Sequence, residues 1–149
     1  MRSPVCGLVL ILALGARGPG NRVEYVGGTR ADLPAGRQGA IEATDDQYLV
    51  FWANKADLRI AYDKINLLEY GQKVDRRYAL AVVISPLFLL SKKRQHFLTI
   101  GYADEGGHQQ ALVFRVEKDD VRSLLVSLEA RTGLKVQFQD EEARKAGRG

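Results

Sequence analysis

From Gly39 onward the chain alternates short apolar runs with polar breaks, at intervals that suit antiparallel strands. "GAIEAT", "QYLVFWA" and "DLRIAY" are rich in β-branched and aromatic residues, and "DD" and "NKAD" between them read as turns, so two tight hairpins are predicted. Within "YLVFW", Tyr48, Val50 and Trp52 share one face and Leu49 and Phe51 the other. A strand that is apolar on both sides predicts a core strand whose outer face is partly covered, with a small groove lined by Trp52 as the alternative. "INLLEYGQKV" predicts a fourth strand. "QHFLTIGYA" and "QALVFRV" predict another hairpin, because the glycines of "DEGGHQ" can take positive φ. Upstream, "GPGNRVEYVGGTRADLPAGRQG" is loop-rich, with one short strand candidate at Val23 to Val26.

The period changes after Glu117. In "KDDVRSLLVSLEARTG", Val121, Leu124, Leu125 and Leu128 recur at helical spacing. Asp119 and Asp120 fall in the first turn and Arg131 in the last, each complementing the helix dipole, and Gly133 follows as a stop. Ser127 and Arg131 are expected to be exposed. "LKVQF" suggests one further short strand, and "DEEARKAGRG" a solvated tail or frayed helix. The pattern as a whole predicts a mainly β protein with one C-terminal capping α-helix (α+β). Its sheet would be curved or form a partly open barrel, with the leucine stripe of the helix laid across the open end.

On these residues a resemblance can be stated. "GAIEATDDQYLVFWANKADLRIAYDKINLLEY", with Tyr62 and Ile65 as a "Y-x-x-I" corner, resembles the opening of bacterial pleckstrin-homology-like and GRAM-like domains. "LTIGYADEGGHQQALVFRV" and the helix after it resemble their closing hairpin and capping helix. The chain is also similar to a family of small exported bacterial proteins carrying "LEYGQKV", "SKKRQHFLTIGY" and "DEEARKAG", a likeness that implies a fold but no activity. The basic first-hairpin pattern that binds phosphoinositides in pleckstrin-like domains is missing, since "EATDDQ" and "WANKAD" are acidic or mixed. No lipid-binding residue is carried over from that family.

The N-terminus bears on compartment. "MRSPVCGLVLILALGARGPG" places Arg2 before an apolar run from Val5 to Leu14, with small residues at Ala13, Gly15 and Ala16, the layout of a secretory signal peptide. The run is too short for a helix crossing a hydrocarbon core of about 30 Å; its alternative role is a buried first element of the fold. The organisation expected is a signal over residues 1–16, a pleckstrin-like β-barrel with capping helix over 22–138 and a charged tail over 139–149, in a protein exported to the periplasm or held at the inner membrane's outer face. Cleavage would remove Cys6, the only cysteine, and with it disulfide, thiol and cysteine-metal chemistry. It would also lower the net charge from +4 to +3.

Chemical motifs are sparse. His96 and His108 lack partners at metal-ligand spacing, and no G-x-S-x-G or phosphate-binding glycine loop occurs. The carboxylate pairs Asp45–Asp46 and Asp104–Glu105 read as turns, and Asp119–Asp120 as a helix start. His108 reads as a solvated loop residue and His96 as a surface residue. The expectation is a non-enzymatic protein with no catalytic residue, metal or cofactor, and a small hydrolase is the third reading.

One stretch stands apart. "RRYALAVVISPLFLLSKKR" (Arg76 to Arg94) holds an apolar segment, Ala79 to Leu90, broken only by Ser85 and Pro86. Twelve residues of helix reach roughly 18 Å, short of a bilayer core, and Pro86 would interrupt a helix, so two short arms meeting at Ser85-Pro86 are predicted. In one reading this is a hairpin whose tip, Leu87, Phe88 and Leu89, enters a membrane surface. Lys73, Arg76, Arg77, Lys92, Lys93 and Arg94 would then meet anionic headgroups, opposed only by Asp75. In the other reading the segment is core, or a contact between copies, in a soluble protein-binding module. The partners expected are therefore an anionic lipid surface or a protein. Nucleic acid is not expected, because no aromatic residues interleave with these cations.

Overall fold

The computed structural model describes residues 20–54, 56–73, 83–84 and 94–148. Five strands precede the apolar segment: β1 (Asn21–Gly28), β2 (Arg37–Glu42), β3 (Tyr48–Ala53), β4 (Ala56–Ala61) and β5 (Ile65–Gly71). β6 is the two-residue strand Val83–Ile84; β7 (Phe97–Ala103), β8 (Gln109–Val116), helix α1 (Val121–Thr132), β9 (Gln137–Phe138) and helix α2 (Glu141–Arg148) follow. Eight strands form one mixed sheet in the order β4-β3-β2-β1-β8-β7-β5-β9, and β6 pairs with β1 beside that path. All pairings are antiparallel except β5 with β9. The path ends at β4 and β9, so the sheet is not closed into a barrel.

The inner face follows from the alternation. Leu49 and Phe51 of β3, Leu68 and Tyr70 of β5, Leu98 and Ile100 of β7, and Leu112 and Phe114 of β8 share one buried cluster. Phe114 is its centre: Tyr25 meets it edge-on at 5.8 Å and Phe51 at 5.0 Å between ring centroids, geometries favoured by the ring quadrupoles. β1 is longer than the four-residue candidate suggested, and it carries one extra residue, Val26, between the Tyr25–Phe114 and Gly27–Val113 pairs. That bulge bends the strand. Before it β1 pairs with β2; after it the same edge pairs with β6, Gly27 opposite Ile84 and Gly28 opposite Val83.

Helix α1 buries Val121, Leu124, Leu125 and Leu128, the predicted stripe, in the same cluster. Gly133 ends it at φ 72°, where its N–H donates to the Glu129 carbonyl oxygen, a conformation that a side chain would strain. Asp119 and Asp120 lie in a short 3-10 turn before the helix, and Asp120 accepts a hydrogen bond from the Arg22 N–H at 2.8 Å. Arg131 is exposed, as expected, while Ser127 is half-buried. The Arg131 guanidinium donates to the carbonyl oxygens of Ala43 (3.1 Å) and Thr44 (3.0 Å) and to Asp46 Oδ1 (2.5 Å), tying the helix end to the β2–β3 loop. The C-terminus also departs from expectation. The segment expected as a solvated tail or frayed helix forms α2, with Ala143 and Gly147 buried. Its charges occupy one side, and the small residues spaced by four let the other side approach Tyr70, Phe138 and Leu125.

Candidate functional site

The β1–β2 loop and strands β3 and β4 meet around a cleft of about 80 Å³ lined by Arg30, Asp32, Leu33, Phe51, Asp57 and Leu58. Local sequence builds it. Gly36 takes φ 84° and its N–H donates to the Tyr25 carbonyl oxygen at 2.7 Å, closing the loop back onto β1. Thr29 fixes the other end by pairing its N–H with the Ala111 carbonyl oxygen at 2.9 Å. Asn54, at φ 44°, turns β3 into β4; asparagine tolerates this region better than most residues. Within the loop Arg30 forks onto Asp32, Nε to Oδ1 at 2.9 Å and Nη2 to Oδ2 at 2.5 Å. That pairing holds the Asp32 carboxyl below its ordinary range and keeps Arg30 firmly protonated. Leu33, Phe51 and Leu58 give the cleft apolar walls, and Asp57, 3.5 Å from Arg59, stands at its rim.

Beneath this loop the Tyr25 hydroxyl is buried without a hydrogen-bond partner among the described residues. Burial, reinforced by Tyr102 and Asp32 and opposed by Arg30, pushes its phenol up to about 12. A Cβ on Gly28 would overlap that hydroxyl and the Ala111 carbonyl oxygen, so only glycine fits there. The sequence reading passed over this cleft. Its one local signal is the Arg30-x-Asp32 spacing before Leu33-Pro34, which becomes a rim only once β3 and β4 are brought alongside.

A second polar cluster lies where β5 meets β7. The Tyr70 hydroxyl is 2.5 Å from His96 Nδ1, and the two rings are nearly parallel at 6.1 Å. His96 is half-buried here rather than a surface residue. Burial, with the Lys118 charge second, holds its imidazole below the ordinary value, and burial pushes the Tyr70 phenol up to about 12. Phe138 packs edge-on against Tyr70 at 6.0 Å, with the Arg148 guanidinium 5.2 Å above its ring. The arrangement locks β9 and α2 to the sheet and brings no acid, base and nucleophile together.

Of the residues expected at a membrane surface, Arg76, Arg77, Leu87, Phe88, Leu89, Lys92 and Lys93 lie outside the described residues, as do the signal segment, Cys6 and all of Ala79 to Leu90 except Val83–Ile84. Lys73 and Arg94 are described and exposed, and the Gly71–Phe97 pair brings their strand ends together. Arg94 has a counter-charge that the sequence did not reveal: Glu142 of α2, at 3.1 Å. The carboxylate pairs hold turns in place. Asp45 accepts from the N–H groups of Gln47 and Tyr48 (2.7 and 2.8 Å), and Asp104 from that of His108 (2.8 Å), whose exposed ring lies 3.4 Å from Asp104. Trp52 donates to Glu42 at 2.8 Å on the outer face of β3 and does not line the cleft. Among the described residues no three His, Cys, Asp or Glu side chains gather as a metal site, and no helix is long and apolar enough to cross a membrane. No protein-family model matches the chain, and no curated protein matches it.

Proposed function

We propose that this chain is a non-enzymatic, exported binding module of pleckstrin-like architecture that receives a protein partner at the mouth formed by the β1–β2 loop, β3 and β4. The opening hairpins, the closing β7–β8 hairpin and helix α1 follow in the order that the resemblance implies. The observation that carries the binding role is the cleft itself, with apolar walls of Leu33, Phe51 and Leu58 and carboxylates at its rim. Such a crevice suits a cation on an aliphatic stem: the stem packs on the leucines while the charge meets Asp57. The ligand class is therefore a lysine or arginine side chain on a partner polypeptide. Titration of isotope-labelled protein with a lysine-rich peptide should shift the amide resonances of Arg30 to Leu33 and of Asp57 and Leu58, and Asp57→Asn should abolish those shifts. No shift at these positions, or shifts only elsewhere, would refute the reading.

A second reading has its own observation. Lys73 and Arg94, both exposed, flank the paired ends of β5 and β7, so these two cations lie at one end of the sheet. Under it the protein rests on anionic headgroups through Lys73, Arg76, Arg77, Lys92, Lys93 and Arg94, each cation near the surface contributing roughly 1 kcal/mol. Cosedimentation with anionic vesicles that is lost at high salt, and lost when Lys92, Lys93 and Arg94 become Gln, would support it. Absence of binding at low salt would remove it.

A further inference from the structure

The two ends of the sheet are finished differently. At one end β9 is only two residues long, and α2 packs against it with Gly147 close to the Phe138 ring. The other end is β4, six residues long, with no strand on its outer side among the described residues. Its open side can be read from the ladder. Tyr62 donates its N–H to the Gln47 carbonyl oxygen at 3.0 Å, so Leu58 and Ile60, in the same phase, turn their backbone groups toward β3. Asp57, Arg59 and Ala61 turn theirs away. Such a row of unpaired N–H and C=O groups is a template for another strand. Side chains alternate too: Ile60 joins the core cluster and Leu58 packs against it, while Asp57 and Arg59 lie on the opposite face, 47% and 56% exposed.

We propose that β4 pairs antiparallel with β4 of a second copy of this chain, Leu58 opposite Leu58 on a two-fold axis. The order of the charges selects this occupant. In that register Asp57 stands opposite Arg59 of the partner subunit, and Arg59 opposite Asp57 of the partner subunit, so both cross-strand pairs join unlike charges. These are also the residues whose backbone groups face outward, so each pair can exchange two hydrogen bonds and the ladder phase agrees with the charge pattern. Sliding the partner by two residues either way sets Asp57 opposite itself or Arg59 opposite itself, which like-charge repulsion opposes. An edge charged to resist association would repel its own copy; this one attracts it in a single register. The interface is isologous and continues the sheet across two molecules. It covers Leu58, half-buried in the single chain, and brings Arg59 of the partner subunit to Asp57 at the rim of the mouth.

The test is the oligomeric state of the full chain, followed by sedimentation over a range of concentrations. A monomer–dimer equilibrium is expected. Arg59→Asp should weaken the dimer at least about tenfold, because like charges then face each other in both pairs. Adding Asp57→Arg to Arg59→Asp should restore it. A monomer at every concentration, a dimer indifferent to Arg59→Asp, or a double reversal that stays monomeric would overturn the proposal. Should a charge variant fail to fold, disulfide trapping decides. In a Cys6→Ser background, Leu58→Cys brings two thiols to the axis in a non-hydrogen-bonded pair, with Cα atoms about 4.5 Å apart and within disulfide reach. Its oxidation to a covalent dimer should be at least about tenfold faster than that of Val126→Cys on the exposed side of α1, because pairing raises the effective concentration of the second thiol. Equal rates would overturn the pairing. Arg59 does not line the mouth, so the peptide titration repeated on Arg59→Asp tests the mouth in a single chain, and the two readings fail separately.

Discussion

The inner and outer faces of the β1–β8–β7–β5 sheet are both dry, but they are built differently. The inner face is aromatic and bulky: Tyr25, Phe114 and Tyr70 interlock with the leucines of α1. Apart from Phe97 the outer face is small and β-branched, with Val26, Thr99, Ala111 and Val113, and it carries the Glu24–Arg115 ion pair and the buried Glu69, which accepts a hydrogen bond from Gln139 at 3.2 Å. Large side chains on the sheet fill a space that a single helix only caps.

The largest effects test whether the outer face is truly interior. Val113→Asp would bury a carboxylate among small side chains, beside an Arg115 already engaged by Glu24, so a loss of about 3–5 kcal/mol is expected in denaturant titration. A loss within about 0.5 kcal/mol, the range of a surface site, would mean that the face is open. On the inner side, Leu125→Ala should cost about 2–5 kcal/mol by removing a buried side chain from the helix stripe. The exposed Val126→Ala, one residue on, should stay within about 0.5 kcal/mol. Equal small losses at both would mean that α1 does not seal the sheet. Arg131→Ala should be intermediate, about 1 kcal/mol, because it breaks bonds to two carbonyl oxygens and to the exposed Asp46.

The smallest expected effect is a pH dependence. His96 has a depressed folded-state value, so below the ordinary 6.5 the unfolded chain binds a proton that the folded chain resists. Stability from this group is complete above 6.5 and falls as pH drops through the folded value. His96→Phe should flatten that acid limb. Tyr25 and Tyr70, both pushed up to about 12, act in the opposite sense: from about 10 upward the unfolded phenols ionise first, and stability falls as pH rises. Tyrosinate absorbance beside an unfolding curve checks both limbs. An acid limb unchanged in His96→Phe would show that the His96–Tyr70 contact is not linked to folding.

Much of the fold was legible because period and burial coincide. The alternation in "YLVFW", the leucine spacing of α1 and the Gly133 stop each describe a local rule that the packed protein keeps. What stayed hidden depends on distant partners. No local pattern tells that β1 extends to Gly28, since its last residues owe their pairing to Val113 and Leu112 on one side and Val83–Ile84 on the other. The exposure of Arg131 was legible but its partners were not, because the carbonyls it caps lie 87 and 88 residues away. The same holds for the Arg94–Glu142 pair and for α2, whose net polarity conceals two small residues at contact spacing. The mouth was missed for a similar reason: Arg30, Asp32 and Leu33 are unremarkable loop residues until Leu58 and Phe51 stand opposite them.

The central claim is that the outer face of the sheet is as much an interior as the inner one. Its most direct test is methyl relaxation on the full chain with a water-soluble paramagnetic probe, read from the buried methyl groups of Val113. The account predicts that they stay as sharp as those of Leu112 on the inner face. Broadening to the level of the exposed Val126 methyls would contradict it.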